Sequence, residues 1–341
     1  MQLIERDERG LFASANTAYG FQSYFAEIFG DASRRVILKG GPGCGKSHLM
    51  KAIAAESEAR GEETVRYYCS SDADSLDGLI LPERGIAILD GTAPHIFDPI
   101  DPGAVDEILW LGECWDRGVL AARAGEITGL RTQKKECYRT AYAMLAARGN
   151  VENACRDLME RSLRRDAVER FAAEICSRLH ACSGRIAYGN IESVGMQGRV
   201  RYRDFEKRAD SVTRLEVAGG ILTAAIYREL LRTGKSAAIS FSPLAPEDPD
   251  AILLPDGRAF IVGGSAGDGE TPLPLADFLA DSPAKASLAR LRAAADALDA
   301  VIHSVFSEIA AHHFALERIY GTAMDFAAVD ARIERLKREL F

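Results

Sequence analysis

The first readable patterning is a short apolar run between charged residues, Arg35-Val36-Ile37-Leu38-Lys39, which predicts a buried strand. A glycine-rich turn follows. The stretch from Ser47 to about Arg60 then has its apolar residues at helical spacing and stops at Gly61. Thr64-Val65-Arg66-Tyr67-Tyr68-Cys69 predicts a second strand. Gly85-Ile86-Ala87-Ile88-Leu89, ending at Asp90, predicts a third. Between them lies an acidic loop, Ser70-Ser71-Asp72-Ala73-Asp74-Ser75-Leu76-Asp77. This order predicts an α/β fold with a parallel sheet and flanking helices. From Gly103 to about His180 the periodicity is helical, with Val168, Phe171, Ala172, Ile175 and Leu179 on one face. The spacing breaks at Gly149-Asn150, which predicts helices folded back as a hairpin.

The pattern then restarts. Thr213-Arg214-Leu215-Glu216-Val217-Ala218-Gly219-Gly220 echoes the first strand and its Gly40-Gly41, and a helix through Tyr227-Arg228-Glu229-Leu230-Leu231 closes at Gly234. Ala237 to Phe241 echoes the second strand, Asp250 to Pro255 echoes Asp77 to Pro82, and Arg258 to Val262 echoes the third strand. A helical block ends the chain. Its Leu288, Leu291, Ala295, Leu298, Ile302, Val305 and Ile309 form a coiled-coil-like seam, beside which His312-His313 reads as a solvated edge. The chain thus reads as a tandem duplication with a boundary near Ser183: residues 1–182 with a helical insertion over about 103–180, and residues 183–341 with a helical C-terminal region.

Composition narrows the class. Of the 341 residues 47% are hydrophobic and 27% charged, a profile with enough apolar side chains for sizeable cores. No run of eighteen apolar residues predicts a membrane span, and the charged start, Met1-Gln2-Leu3-Ile4-Glu5-Arg6, lacks an apolar signal core. A net charge of -8 argues against a sequence-independent nucleic-acid binder. Seven cysteines, all within the first 182 residues and without a Cys-x-x-Cys pair, suit reduced thiols in a cytoplasm.

The candidate chemistry lies after the first strand. Gly40-x-x-x-x-Gly45-Lys46-Ser47 has the spacing of a phosphate-binding loop in its proper context, strand before and helix after. Glycines let backbone N–H groups curl around phosphate oxygens, and the helix adds its positive end. Gly41, Pro42, Gly43, Cys44, Gly45, Lys46, Ser47 and His48 are the expected nucleotide-binding residues. Lys46 would meet the β- and γ-phosphates. Ser47 and Asp90 would hold Mg²⁺. His95 or Thr92 would sense the γ-phosphate or hold the attacking water, or else form a capping turn. Asp72 or Asp74 would orient water or bind a second substrate, or else form a solvated acidic turn.

The second half serves as an internal comparison. Opposite Gly41 to Ser47 it reads Gly220-Ile221-Leu222-Thr223-Ala224-Ala225-Ile226, with no lysine after a glycine. Asp90 falls opposite Gly263, Thr92 opposite Ser265, His95 opposite Asp268 and Asp72 opposite Ala245, whereas Asp77 persists as Asp250. One competent site and one degenerate site are expected.

Gly40 to Ser47, Cys69-Ser70-Ser71-Asp72, Ser75-Leu76-Asp77-Gly78 and Asp90-Gly91-Thr92-Ala93-Pro94-His95 together resemble a family of bacterial tandem P-loop ATPases, found mainly in Firmicutes and known only as hypothetical ATPases. The resemblance covers nearly the whole chain. It implies a P-loop NTPase fold in each half, ATP binding and hydrolysis with Mg²⁺. Two departures stand out: family members usually carry a P-loop in each half, and Cys44 replaces a commoner threonine. The function expected is an ATPase whose helices pass nucleotide state to a protein partner. A small-molecule or nucleotide kinase and a non-hydrolysing nucleotide-gated scaffold are the alternatives.

Overall fold

The computed structural model describes residues 1–180, 184–216, 220–281 and 283–341. The boundary expected near Ser183 and the Val217-Ala218-Gly219 segment lie outside the described residues.

In chain order the first half carries β1 (Leu3–Arg6), β2 (Leu11–Phe12), β3 (Ser14–Thr17), β4 (Gly20–Ser23), α1 (Phe25–Phe29), β5 (Arg34–Lys39), α2 (Lys46–Ala59), β6 (Val65–Tyr68), β7 (Leu76–Leu81), β8 (Ile86–Asp90), β9 (Asp106–Trp110), α3 (Arg117–Ala122), α4 (Ala124–Glu160) and α5 (Arg165–Ser177). The second half carries β10 (Ile186–Tyr188), β11 (Glu192–Gly195), β12 (Gly198–Tyr202), α6 (Asp204–Arg208), β13 (Ser211–Leu215), α7 (Gly220–Thr233), β14 (Ala237–Phe241), β15 (Pro249–Leu253), β16 (Arg258–Val262), β17 (Thr271–Leu273), α8 (Lys285–Gly321) and α9 (Phe326–Leu340).

Two six-stranded sheets share one order, β2-β6-β7-β8-β5-β9 and β10-β14-β15-β16-β13-β17. Each is mixed, which corrects the expectation of a parallel sheet: β7 and β15 run antiparallel to both neighbours. The cause is local. Cys69 N donates to Ser75 O and Ser75 N to Asp72 O, so the acidic loop reverses the chain at Ser75, and Leu76 and Asp77 already belong to a strand. Gly78 sits inside that strand because a Cβ there would stand 2.3 Å from the Phe29 ring.

The helical stretch after Gly103 also differs from expectation. It opens with a strand, β9, parallel to β5. Gly149-Asn150 is no turn, because α4 runs unbroken for 37 residues. Gly149 instead lets α4 pass close to Ala18, whose Cβ would lie 2.5 Å from a Cβ at Gly149. The helix α8 has the same 37-residue length, about 55 Å at 1.5 Å per residue. It packs antiparallel to α4, as the pairs Lys134–His313, Cys137–Glu308 and Arg148–Asp299 require.

Alternation along the strands divides the cores. Val36, Leu38, Leu79, Leu81 and Ile88 face α2, while Ile37, Tyr67, Ala87 and Leu89 join Ile191, Ala251, Leu253 and Ile261 in a core shared by the two sheets. The outer faces are closed crosswise. Val329, Ile333, Leu336 and Leu340 of α9 cover the first sheet, and Val168, Ala172 and Cys176 of α5 cover the second. Residues 1–182 therefore do not contain the helix that completes their own core.

Candidate functional site

The loop from Gly40 to Gly45 leaves the carboxyl end of β5 and enters α2 at Lys46. Gly43 (φ +67°) and Gly45 (φ +93°) have the left-handed backbone that tightens the turn. Lys46 Nζ donates to Gly40 O at 3.1 Å and Gly41 O at 2.8 Å, and lies 3.5 Å from Asp90 Oδ2. Asp90 ends β8, the neighbour of β5, so the pairing of Leu38 with Asp90 brings the carboxylate to the loop. Thr92 turns back on Asp90: its N–H reaches Oδ1 at 2.8 Å, and its hydroxyl donates to the same oxygen. Ser47 Oγ accepts from Leu76 N at 2.9 Å. Cys44 is buried, with Sγ 3.7 Å from Lys46 Nζ, and burial pushes its thiol up.

Burial is the largest influence on both charges of the central pair. It works against the Lys46 ammonium, but Asp90, Cys44 and Asp77 outweigh it and hold the lysine above its ordinary value. It pushes the Asp90 carboxyl up more than Lys46 pulls it down, and Asp77 adds to the push. A carboxylate so placed gains from a further cation.

Other expected residues sit elsewhere. His48 is exposed, with Nε2 3.5 Å from Asp330 of α9, so its side chain is not at the loop. Both carboxylate oxygens of Asp72 are engaged by its own turn and a neighbour. Oδ1 accepts from Asp74 N and Gln197 Nε2, and Oδ2 accepts from Ser75 Oγ at 2.6 Å. Asp74 pairs with Arg6 at 2.7 Å at the surface. His95 lies flat against Phe25, ring centroids 4.8 Å apart, and Nε2 is 2.9 Å from Asp77 Oδ2. Burial works against a charge on His95, but Asp77 outweighs it and raises the imidazole above its usual value. The structure thus brings Lys46, Ser47 and Asp90 to one loop, sets His95 beside Asp77, and leaves the side chains of Asp72 and His48 in other contacts.

The long helices add groups that the sequence reading missed. A Cβ on Gly41 would stand 2.9 Å from the Tyr320 ring, one on Gly43 2.9 Å from Glu317 O, and one on Gly45 3.1 Å from Val329. The end of α8 and the start of α9 therefore lie directly on the glycine loop. His313 is not a solvated edge: it stands between Lys134 Nζ at 3.0 Å and Glu317 at 3.4 Å. Burial lowers the Lys134 ammonium below its usual range. Lys39 Nζ holds the segment after β8 through Gly91 O, Phe97 O and Asp98. The available signal was positional, since His313 and Tyr320 continue the apolar seam that runs through Ile302, Val305 and Ile309.

The second half differs at the corresponding places. Gly91 N donates to Leu38 O and Gly263 N to Leu215 O, so Asp90 corresponds to Val262 and not to Gly263. The turn Pro255-Asp256-Gly257 is one residue shorter than Pro82 to Gly85, which displaces an ungapped alignment. Gly220 lies within α7, whereas Gly41 lies in the loop ahead of α2, so Gly220 does not match Gly41.

A family model described as "Nephrocystin 3, N-terminal" matches residues 22–79, the span from β4 through β7 that includes the glycine loop. No curated protein and no solved structure matches the chain. Among the described residues no helix is long and apolar enough to cross a membrane.

Proposed function

We propose that the protein is a Mg²⁺-dependent ATPase with one nucleotide site, at Gly40 to Ser47, and that each half is a P-loop NTPase unit of the bacterial tandem family named above. The observation that carries this reading is the Lys46–Asp90 pair at the start of α2, 3.5 Å apart and inside a loop with two left-handed glycines. Loop N–H groups and the positive end of the 14-residue helix would bind the phosphates. Lys46 would exchange its bonds to the Gly40 and Gly41 carbonyls for phosphate oxygens. Ser47 and Asp90 offer oxygen ligands of the kind Mg²⁺ takes, and the bound ion would offset the phosphate charge. Thr92 would keep Asp90 oriented. Glu317 and Tyr320, lying on the loop, would pass the state of the site to α8 and its partner helix α4. A kinase reading, with Asp72 or Asp74 binding the acceptor hydroxyl, has less support, because both Asp72 oxygens are already engaged and Asp74 pairs with Arg6.

The test is calorimetric titration with ATP and Mg²⁺, beside an assay for phosphate release. The parent should bind one nucleotide per chain and release phosphate. Lys46→Ala should lose roughly 100-fold or more in affinity, the scale of a charge-assisted phosphate contact in a water-poor site. Unchanged affinity in that variant, or two nucleotides per parent chain, would overturn the reading. Binding without phosphate release would favour the scaffold, to which the cover of α8 over the loop lends support.

A further inference from the structure

Beyond Asp90, three side chains from three separate turns converge. Cys69 follows β6, Asp77 is the second residue of β7, and His95 lies in the segment after β8. One ligand atom from each lies within 4.8 Å of the others. Asp77 is 5% exposed and His95 6%, yet among the described residues His95 Nδ1 has no hydrogen-bond partner. A buried polar atom left unpaired is destabilising, because it has given up its bonds to water without replacing them. The other ring nitrogen, His95 Nε2, pairs with Asp77 Oδ2 at 2.9 Å.

The second half shows how the fold otherwise treats this aspartate. Strand pairing sets Asp250 where the first half has Asp77, and Ser242 where it has Cys69. Asp250 accepts from Ser240 Oγ at 2.5 Å on one oxygen, while its Oδ2, without a hydrogen bond among the described residues, lies 4.0 Å from the Arg201 guanidinium. Among the described residues no arginine or lysine reaches Asp77 in the same way. The half with the arginine lacks the cysteine, and the half with the cysteine lacks the arginine.

We propose that Cys69, Asp77 and His95 bind a thiophilic divalent cation of the Zn²⁺ class, with the fourth position open to water. Thiolate, imidazole and carboxylate suit such an ion, whereas Mg²⁺ takes oxygen ligands and does not select a thiolate. A tetrahedral zinc site needs ligand atoms about 3.3–3.8 Å apart, which small side-chain rotations reach from the present spacing. Three protein ligands with one open position is the pattern of a reactive zinc site rather than a closed structural one. The cation would supply at Asp77 the charge that Arg201 supplies at Asp250. The inference is independent of ATP hydrolysis at the glycine loop.

The experiment uses the full chain, stripped of metal by a chelator, with Co²⁺ as the spectroscopic probe and Zn²⁺ in competition with a chromophoric chelator. One equivalent of Co²⁺ should give a thiolate-to-cobalt band in the near ultraviolet and intense tetrahedral bands in the visible, both displaced by Zn²⁺. Cys69→Ser should lose the thiolate band. Asp77→Asn and His95→Gln should each weaken Zn²⁺ binding by at least roughly 100-fold, more than loss of an outer-sphere partner does. Absence of the thiolate band in the parent, or its persistence in Cys69→Ser, overturns the proposal. The parent titration decides the matter even if a variant does not fold. Binding of ATP with Mg²⁺ is read in the same zinc-free preparation, so the two sites stand or fall separately.

Discussion

The backbone carbonyl of Glu317 lies 2.9 Å from the point where a Cβ on Gly43 would stand, and Gly43 itself is at φ +67°. One glycine therefore meets two demands, a left-handed turn and the close approach of a helix from the other half of the chain.

Gly43→Ala should fail on both counts. The backbone alone costs about 1 kcal/mol, and the added methyl must push α8 off the loop. The expected result is a lower Tm and faster amide exchange over residues 313–324, with the strands of the first sheet unchanged. Parental exchange over that span would show that α8 does not rest on the loop.

Asp90→Asn should keep nucleotide binding and lose turnover. The amide preserves shape and still accepts from Thr92, but it removes the charge that would hold the metal. Phosphate release should fall by roughly 10-fold or more, while the calorimetric affinity stays within a few-fold of the parent. Parental turnover would remove Asp90 from the metal site.

Ile333→Ala should destabilise the first sheet although it lies near the other end of the chain. Ile333 is 3% exposed and packs in the core over β5 and β7. The loss should be about 2–4 kcal/mol, read as a shift in the urea midpoint. Removing residues 184–341 takes away Val329, Ile333, Leu336 and Leu340 together, on the order of 8 kcal/mol of burial, comparable to the stability of a whole domain. The isolated first half should be insoluble. A soluble, cooperatively unfolding 1–183 fragment would refute the crosswise closure.

Asp250→Asn should flatten the pH dependence of stability on the acid side. Burial pushes the Asp250 carboxyl up to about 6, with Arg201 pulling the other way. A raised carboxyl binds its proton more tightly in the folded state. Its contribution is therefore fully present below the unfolded value near 4 and is lost as pH rises through about 6. The parent should lose on the order of 3 kcal/mol from this group across that window, and the asparagine variant should not. Parallel stability curves for the two proteins between pH 4 and 6 would contradict the assignment.

Local chemistry was readable directly. The glycine spacing, Lys46 at the helix start and the apolar run ending at Asp90 each express short-range dihedral and solvation preferences, and each lies where those preferences put it. The echo between Asp77 and Asp250 was readable for the same reason, because strand register depends on alternation over a few residues. Other features depended on partners distant in sequence. Asp77 and Gly78 look like loop residues until Phe29 is seen against the glycine. Gly149 looks like a break until α4 is seen crossing Ala18. An amphipathic helix declares that it has an apolar face but not which sheet will cover it, since burial of apolar surface is non-directional. That α9 closes the first sheet, that α5 closes the second, and that Glu317 and Tyr320 rest on the glycine loop were settled only when both halves packed together.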